Sequence, residues 1–287
     1  MRAVVPDYNI EAPGSLQGVL ELLAGEPGRF KPFAGGTEIM VFFNAGHQSH
    51  REYVNIWGLP ELAGIEVTPD YVRLGALTTY TEIRNHGVIQ KEFPTLCQSS
   101  AESGALAIQN RGTLGGNIAN ASPAADAPPP LIAYRAEIEV VSKKGKRRLD
   151  YRKFHRGYKQ MDLAADELIL AVYLPRVEGR THYYRKVGPR KAQAISKVCL
   201  AATARLGAGK ATGVGIGIGA VAPTVLALES VEQLLEGATL GQPLEQEIRA
   251  LVEAAISPID DIRSNETYRR RVAANLVVDF WQSLKES

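Results

Sequence analysis

AGGTE at residues 34–38 and NRGTLGGN at residues 110–117 are the two stretches that decide the predicted fold of this chain. Each places two adjacent glycines beside a threonine. Because glycine has no Cβ, its backbone adopts left-handed conformations and lets main-chain N–H groups approach a ligand closely. Consecutive N–H groups in such a turn form a concave anion site, which a following helix N-terminus strengthens. The first stretch alone is equally compatible with a plain strand–helix turn. Two such stretches predict a pyrophosphate held from two sides, as in a dinucleotide.

The composition is that of an ordinary globular protein, since the 287 residues are 45% hydrophobic and 22% charged. At this length a single core usually divides, so we expect two or three domains. The net charge of +2 is too small to favour nucleic acid or an anionic membrane as a partner. Cys97 and Cys199 are too few for a disulfide framework or for the four thiolates of an iron–sulfur cluster.

Neither a signal peptide nor a membrane span is evident in the sequence. Residues 1–15 contain no apolar core of a signal peptide. Elsewhere, no apolar run approaches the roughly 18 residues that a membrane-spanning helix needs. We therefore expect a cytoplasmic protein without membrane insertion.

A first subdomain of β–turn–α–β type is predicted over residues 1–57. Ser15 is a good N-cap for a helix over 16–23, whose leucines share one face. Strands are expected over 30–33 and 53–56, with a buried helix over 38–43 between them.

Two further units are predicted, a second subdomain over residues 58–177 and a C-terminal α+β domain over 178–287. The second subdomain should contain a strand pair around Pro69-Asp70, a helix over 78–85, and strands over 137–141 and 168–174. In the C-terminal domain strands precede helices, which is typical of an α+β unit. Its strands are expected over 198–206 and 214–221, and its helices over 231–235, 244–256 and 267–284.

Three other motifs are interpreted as structural. GVGIGIG at 213–219 resembles a dinucleotide fingerprint, but glycine alternates there and no helix follows, so we predict a strand with one bare face packed against a close neighbour. His47 and His50 lie three apart, yet Gly46 breaks the helix and no third ligand is evident, which favours a surface loop over a metal site. KKGKRR at 143–148 is typical of a solvated hairpin tip.

No catalytic residue is assigned to this chain, because the sequence shows no nucleophile elbow and no nucleophile–base pair. The hydroxyl of Thr113 and the amide of Asn117 add polar groups beside the second glycine turn. Asp126 could accept hydrogen bonds from sugar hydroxyls, or it could be a plain turn residue before the prolines. These are features of binding, which is what a cofactor with its own chemistry requires of a protein.

At these residues the chain resembles the FAD-binding (medium) subunit of molybdenum hydroxylases, which include carbon monoxide dehydrogenase, nicotinate and quinoline oxidoreductases and xanthine dehydrogenase. Several separated segments carry the resemblance in the same order along the chain. They are KPFAGGTEI at 31–39, IQNRGTLGGN at 108–117, ASPAAD at 121–126, DELIL at 166–170, RKVG at 185–188 through AISKV at 194–198, and PIDDIR at 258–263 with Tyr268-Arg269.

The fold implied by this resemblance is α+β: a two-part FAD-binding fold of the vanillyl-alcohol-oxidase (PCMH) type, followed by a C-terminal domain of antiparallel sheet and helices. It further implies that the main chain at 32–39 and 113–117 contacts the FAD pyrophosphate, that Asp126 binds ribityl or ribose hydroxyls, and that Lys186 places a cation near the cofactor. Ile169 would line the cofactor site, and Ile195 would lie near the flavin ring. The complete set of implied FAD contacts is Pro32, Phe33, Ala34, Gly35, Gly36, Thr37, Glu38, Ile39, Thr113, Leu114, Gly115, Gly116, Asn117, Asp126, Ile169, Lys186 and Ile195.

An electron-exit role follows from the same resemblance. A large partner subunit would carry molybdopterin, a small partner would carry two [2Fe–2S] clusters, and the complex would be a dimer of heterotrimers. FAD, bound non-covalently because neither turn contains histidine or cysteine, would pass electrons to NAD, oxygen or a quinone. Two alternatives remain open: a self-sufficient FAD-dependent oxidoreductase of the same fold, and a flavin-free assembly or interaction subunit.

Overall fold

The computed structural model describes residues 7–47, 50–190 and 193–285. The predicted absence of a signal peptide therefore falls partly on residues 1–6, outside the described ranges, as do residues 191–192 of the flavin-proximal stretch.

The described strands are β1 (Asn9–Glu11), β2 (Lys31–Phe33), β3 (Glu52–Asn55), β4 (Ile65–Val67), β5 (Tyr71–Gly75), β6 (Glu137–Ser142), β7 (Gly145–Asp150), β8 (His155–Gly157), β9 (Gln160–Met161), β10 (Leu168–Pro175), β11 (Arg180–Val187), β12 (Val198–Gly207), β13 (Lys210–Gly219) and β14 (Leu226–Ala227). The described helices are α1 (Leu16–Gly25), α2 (Ile39–Asn44), α3 (Tyr80–Asn85), α4 (Gly87–Glu92), α5 (Pro94–Glu102), α6 (Leu106–Gln109), α7 (Leu114–Ala119), α8 (Pro128–Ala133), α9 (Glu229–Leu235), α10 (Glu245–Ala255) and α11 (Glu266–Ser283).

A small parallel sheet in the order β1-β3-β2 forms the N-terminal part of the molecule. Helix α1 begins as predicted, because the Ser15 hydroxyl accepts a hydrogen bond from the Gly18 N–H. Its apolar face is buried. Since the strands are parallel, the turns that follow β2 and β3 leave the sheet at the same edge.

A larger antiparallel sheet in the order β4-β5-β10-β6-β7 follows. Its central strand β10 is buried on both faces, which explains its continuous apolar sequence. Leu168 and Leu170 pack in the core that includes α1, whereas Ile169 and Val172 pack in the core that includes α3 to α5. Strand β10 therefore joins the N-terminal part to the helices.

The C-terminal part is an antiparallel sheet in the order β11-β12-β13-β14. One face packs on α9, α10 and α11 in a core that contains the fully buried Phe280 and Trp281. The opposite face packs on α8, and there the alternate glycines of β13 are required. A Cβ on Gly215 would lie 2.1 Å from the Ala133 carbonyl oxygen. The prediction of a strand with a bare face at 213–219 is thus confirmed.

Helix α8 and strand β11 were not predicted, for identifiable reasons. Helix α8 begins with three consecutive prolines, which are tolerated because the first helical turn lacks internal N–H partners. Strand β11 is partly buried on both faces and carries polar side chains on each of them. Its sequence therefore shows no alternation of apolar and polar residues. Among the helices of the described residues, even α11 lacks the apolar length needed to cross a bilayer.

Candidate cofactor site

The two glycine turns lie in direct contact. Residues 34–38 follow β2, and residues 110–113 connect α6 to α7. A Cβ on Gly35 would lie 1.7 Å from the carbonyl oxygen of Arg111, so only glycine allows this packing. Gly36 has a φ of +74°, and a Cβ there would lie 2.8 Å from the Phe33 ring. The structure therefore brings the two predicted halves of the site together.

The first turn carries the free main-chain donors. Within the described part of the chain, the N–H groups of residues 34–38 donate no hydrogen bond. The N–H groups of residues 114–117, by contrast, all have internal acceptors: the carbonyls of Thr78 and Ala76, and the hydroxyl and carbonyl of Thr113. An anion could therefore bind the unpaired N–H groups of the first turn, whereas the N–H groups of α7 are already hydrogen-bonded within the protein.

Asn117 supplies an unpaired acceptor beside the turns. Its Oδ1 is buried and has no hydrogen-bond partner among the described residues. An unsatisfied buried polar atom costs about 1–3 kcal/mol, and a ligand donor would relieve that cost. The neighbouring Tyr80 packs against Gly112, where a Cβ would lie 2.8 Å from its ring. Burial raises the pKa of Tyr80, so its phenol stays protonated.

Asp126 and Lys186 form a buried ion pair. Lys186 Nζ donates to Asp126 Oδ2 over 2.8 Å and to the Glu102 carbonyl over 3.0 Å. Ser196 donates to Asp126 Oδ1 over 3.0 Å, and Ser103 donates to Oδ2 over 3.2 Å. Burial raises the pKa of the Asp126 carboxyl, and Lys186 together with the two serines opposes that shift. Asp126 is therefore more than a turn residue, because it ties the segment after α7 to β11.

A polar cavity of about 350 Å³ opens beside this pair. Burial raises the pKa of Tyr184 and of Glu102, so that both hold their protons more tightly there. Ile195 comes directly after the lining residue Ala194 in the sequence, and it is 52% exposed. The cavity is lined by Gln98, Glu102, Tyr184, Arg185, Lys186, Arg190 and Ala194.

The other predicted FAD contacts lie in strands, in helices or in the hydrophobic core. Pro32 and Phe33 belong to β2, and Ile39 begins α2. Leu114 is fully buried, and Ile169 is 4% exposed inside the core between β10 and the helices. Neither side chain presents a surface to the cavity at Lys186.

Sequence reasoning missed Tyr80, Ser103 and Ser196, which surround Asn117 and Asp126. Tyr80 and Ser103 belong to no motif, and Ser196 lies within the quoted AISKV segment but had no role assigned to it. Their contacts with Asn117 and Asp126 could not be predicted, because they depend on how α3, α5 and β12 pack.

The described residues bring together no group of three histidine, cysteine, aspartate or glutamate side chains able to hold a metal ion. Burial raises the pKa of Cys199, whose thiol lies 3.6 Å from the Tyr184 hydroxyl. The site therefore offers hydrogen bonds and charge but no thiolate nucleophile.

Comparison with known proteins relates the whole described architecture to two families. Residues 6–177 match the FAD binding domain in molybdopterin dehydrogenase, and residues 182–284 match the CO dehydrogenase flavoprotein C-terminal domain. The xanthine dehydrogenase FAD-binding subunit of Escherichia coli O157:H7 is 30% identical over 260 residues, covering 89% of this chain and 88% of that protein. The glyceraldehyde dehydrogenase medium chain of Sulfolobus acidocaldarius is 28% identical over 274 residues, covering 95% and 96%.

Solved structures show the same arrangement. A chain of the carbon monoxide dehydrogenase from Hydrogenophaga pseudoflava, in a form that lacks the Mo-pyranopterin moiety, superposes with a TM-score of 0.91 at 25% identity and covers 96% of both chains. A chain of a cyanide-inactivated Cu,Mo-CO dehydrogenase gives a TM-score of 0.92 at 25% identity, covering 98% of this chain and 99% of that one.

Proposed function

This chain belongs to the FAD-binding subunits of the molybdenum hydroxylases, the family of xanthine and carbon monoxide dehydrogenases, and on that premise we propose that it carries electrons from a partner's [2Fe–2S] clusters to an external acceptor. The predicted α+β fold and the FAD cofactor are confirmed at the level of the family. Molybdopterin and iron–sulfur groups belong to other subunits of such complexes.

The observation that carries the proposal is the contact between the glycine turns, with free donors on one side. In the proposal the pyrophosphate lies against residues 34–38, where each charge-assisted hydrogen bond contributes about 1.5–3 kcal/mol. From the second turn, the Thr113 hydroxyl would donate to the phosphates, and the unpaired Oδ1 of Asn117 would accept a hydrogen bond from a ribityl or ribose hydroxyl. This arrangement supports tight, non-covalent binding.

The flavin end of the cofactor is assigned to the cavity beside Lys186 and Tyr184. Asp126 would accept a hydrogen bond from a sugar hydroxyl while keeping Lys186 in place. Lys186, only 4% exposed in its side chain, holds a fixed positive charge at the cavity wall. FAD, when bound, supplies the two-electron redox chemistry, and the chain's residues supply binding, orientation and charge.

Two exposed apolar side chains, Ile195 and Ile262, are the basis for proposing a docking partner. Ile195 follows the cavity-lining Ala194 along the chain, and Lys197 packs over the Tyr268 ring at 5.2 Å. Tyr268 lies in the first turn of α11, and Ile262, on the loop before that helix, is 98% exposed. Arg269 fixes this turn by donating to Asp261 over 2.7 Å. In the proposal, the exposed Ile262 contacts the small iron–sulfur subunit.

The larger assembly in this proposal is a dimer of heterotrimers that includes a large molybdopterin subunit. Its acceptor is NAD, oxygen or a quinone. We place the complex in the cytoplasm, which is consistent with two free cysteines.

Purification of the native complex, with absorbance spectroscopy and metal analysis, tests the proposal. We expect FAD that is released by denaturation, together with molybdenum and iron in co-purifying subunits. Ile262→Asp should lose the subunits but keep the flavin, because this side chain is exposed and is not one of the assigned FAD contacts.

Each alternative predicts a different result. A yellow chain with substrate turnover and no partner subunits would indicate a self-sufficient oxidoreductase. A colourless chain with both turns intact would indicate an assembly subunit. Flavin that remains attached through complete denaturation would contradict non-covalent binding.

A further inference from the structure

Trp57 and Arg111 form a stacked pair outside the contacts assigned above. The Arg111 guanidinium carbon lies 3.9 Å from the centre of the Trp57 ring. Trp57 is half-buried and Arg111 is exposed, so the indole supports one face of the guanidinium. In the described structure the Arg111 side chain makes no ion pair or hydrogen bond that competes with this stacking.

The topology of the parallel sheet places this pair next to the first glycine turn. Strand β2 leads into residues 34–38, and β3 leads through Asn55 to Trp57. The ends of these two strands are hydrogen-bonded to each other, since Ile56 donates its N–H to the Phe33 carbonyl over 3.1 Å. Asn55 Oδ1 also accepts the main-chain N–H of Trp57 over 3.0 Å, which holds the backbone at the base of the indole. Ligands of parallel sheets bind at this carboxyl edge.

Arg111 connects the pair to the second turn as well. Its carbonyl oxygen is the atom that meets Gly35, whereas its side chain extends over Trp57. The stacked pair is therefore anchored to both turns, the first of which carries the free N–H groups. A planar group joined to a phosphate on those donors would reach the guanidinium face.

We propose that the Trp57–Arg111 pair is the adenine platform of the site, with the purine stacked on the outer face of the guanidinium. This inference rests on the proposed function. A guanidinium plane stacks on aromatic rings more readily than an ammonium does. The adenine end is favoured over the flavin end because the polar cavity at Lys186 lies against the C-terminal sheet, on other elements.

Binding of cofactor fragments to the flavin-depleted full-length chain tests this assignment. The chain contains two tryptophans, and Trp281 is fully buried in the C-terminal core. ADP should therefore quench the fluorescence of Trp57, and Trp57→Phe should abolish that change. Arg111→Ala should weaken ADP and FAD binding about tenfold, the usual size of a lost base-stacking contact, and leave FMN binding unchanged.

Arg148→Ala is the matched control, because Arg148 stacks over Tyr173 at 3.6 Å on a different sheet. It should bind ADP like the wild type. Arg111→Lys retains the charge but loses the planar face, and should show the same selective loss even if the alanine variant folds poorly.

The outcomes separate this inference from the proposed function. Unchanged ADP affinity in both Arg111 variants, or an equal loss of FMN affinity, would overturn the adenine platform while FAD binding stands. A wild-type chain that binds neither FAD, FMN nor ADP would overturn both proposals.

Discussion

At Gly35 the absence of a side chain joins two distant parts of the sequence. The Arg111 carbonyl oxygen occupies the space in which any other residue would carry its Cβ. The contact shapes the first turn, whose N–H groups remain free, and sets its distance from Thr113 and Asn117. One position thus controls both packing and the geometry of the cofactor site.

Gly35→Ala is expected to separate the turns and lower the FAD content of the purified chain. A methyl group 1.7 Å from backbone oxygen cannot fit without displacement, and such overpacking costs about 1–3 kcal/mol. Flavin absorbance per chain and thermal denaturation measure the two effects. Gly14→Ala is the control, since its Cβ would meet nothing within 4 Å. Wild-type flavin content in Gly35→Ala would contradict the two-sided site.

The residues of the site were predictable to the extent that local chemistry marks them. The glycine pairs stand out in the sequence because glycine allows the tight turns and close backbone contacts that other residues exclude. The pairing of Asp126 with Lys186 was not predictable from spacing, since 60 positions separate them and only tertiary packing brings them to 2.8 Å. It was also not predictable that the N–H groups of the first turn are free and those of the second are hydrogen-bonded. This difference depends on which carbonyls the fold brings to each N–H group.

At the scale of elements, α8 and β13 approach each other at backbone distance. A Cβ on Gly217 would lie 2.2 Å from the Pro129 carbonyl oxygen. The Thr203 hydroxyl on neighbouring β12 donates to the Ala133 carbonyl over 3.2 Å. Because α8 also contributes to the core beneath β10, this contact couples the C-terminal sheet to the FAD-binding part.

Gly217→Ala should destabilise the protein by about 1–3 kcal/mol, because the helix and the sheet cannot move apart without losing their shared core. Chemical denaturation followed by circular dichroism gives the free energy of unfolding. Gly207→Ala on the exposed end of β12, with nothing within 4 Å of its Cβ, should change it little. Equal stability of the two variants would show that the helix is not tightly packed.

Elements were predictable where their buried faces carry apolar side chains. Helix α1 and strands β6 and β10 follow their apolar patterns closely. Strand β11 did not, because polar side chains occupy both of its partly buried faces. That strand contributes Tyr184 and Lys186 to the cavity, so the weakest sequence signal coincides with part of the candidate site.

At the scale of the whole molecule, buried polar contacts join the two matched regions. Arg152 donates to both carboxylate oxygens of Glu232, at 2.8 and 2.7 Å, and both side chains are almost fully buried. Nearby, the Tyr134 hydroxyl lies 3.1 Å from Nδ1 of His182. Such contacts are costly to break because they leave unpaired polar groups behind.

His182 should make stability depend on pH. Burial, aided by Arg180, lowers its pKa from the ordinary 6.5 to about 4. Between these values the unfolded chain binds the extra proton and the folded chain does not, so stability falls as pH drops from about 6.5 towards 4. Denaturation midpoints measured across this range should fall more steeply for the wild type than for His182→Asn, which keeps an acceptor for Tyr134.

His155 provides the internal reference for that comparison. Burial also lowers the pKa of His155, and both proteins retain it. The difference between their pH profiles therefore reports His182. Parallel profiles would show that His182 titrates in the folded chain as it does in the unfolded one.

The position of β7 affects whether two copies of this chain can pair through their sheets. It forms an outer edge of its sheet, and the predicted basic hairpin tip leads directly into it. Lys146 and Arg148 are exposed along this edge. Two copies approaching edge to edge would bring like charges together, which discourages strand pairing and aggregation. The positive charges of β7 therefore protect this open edge against pairing with a second copy of the chain.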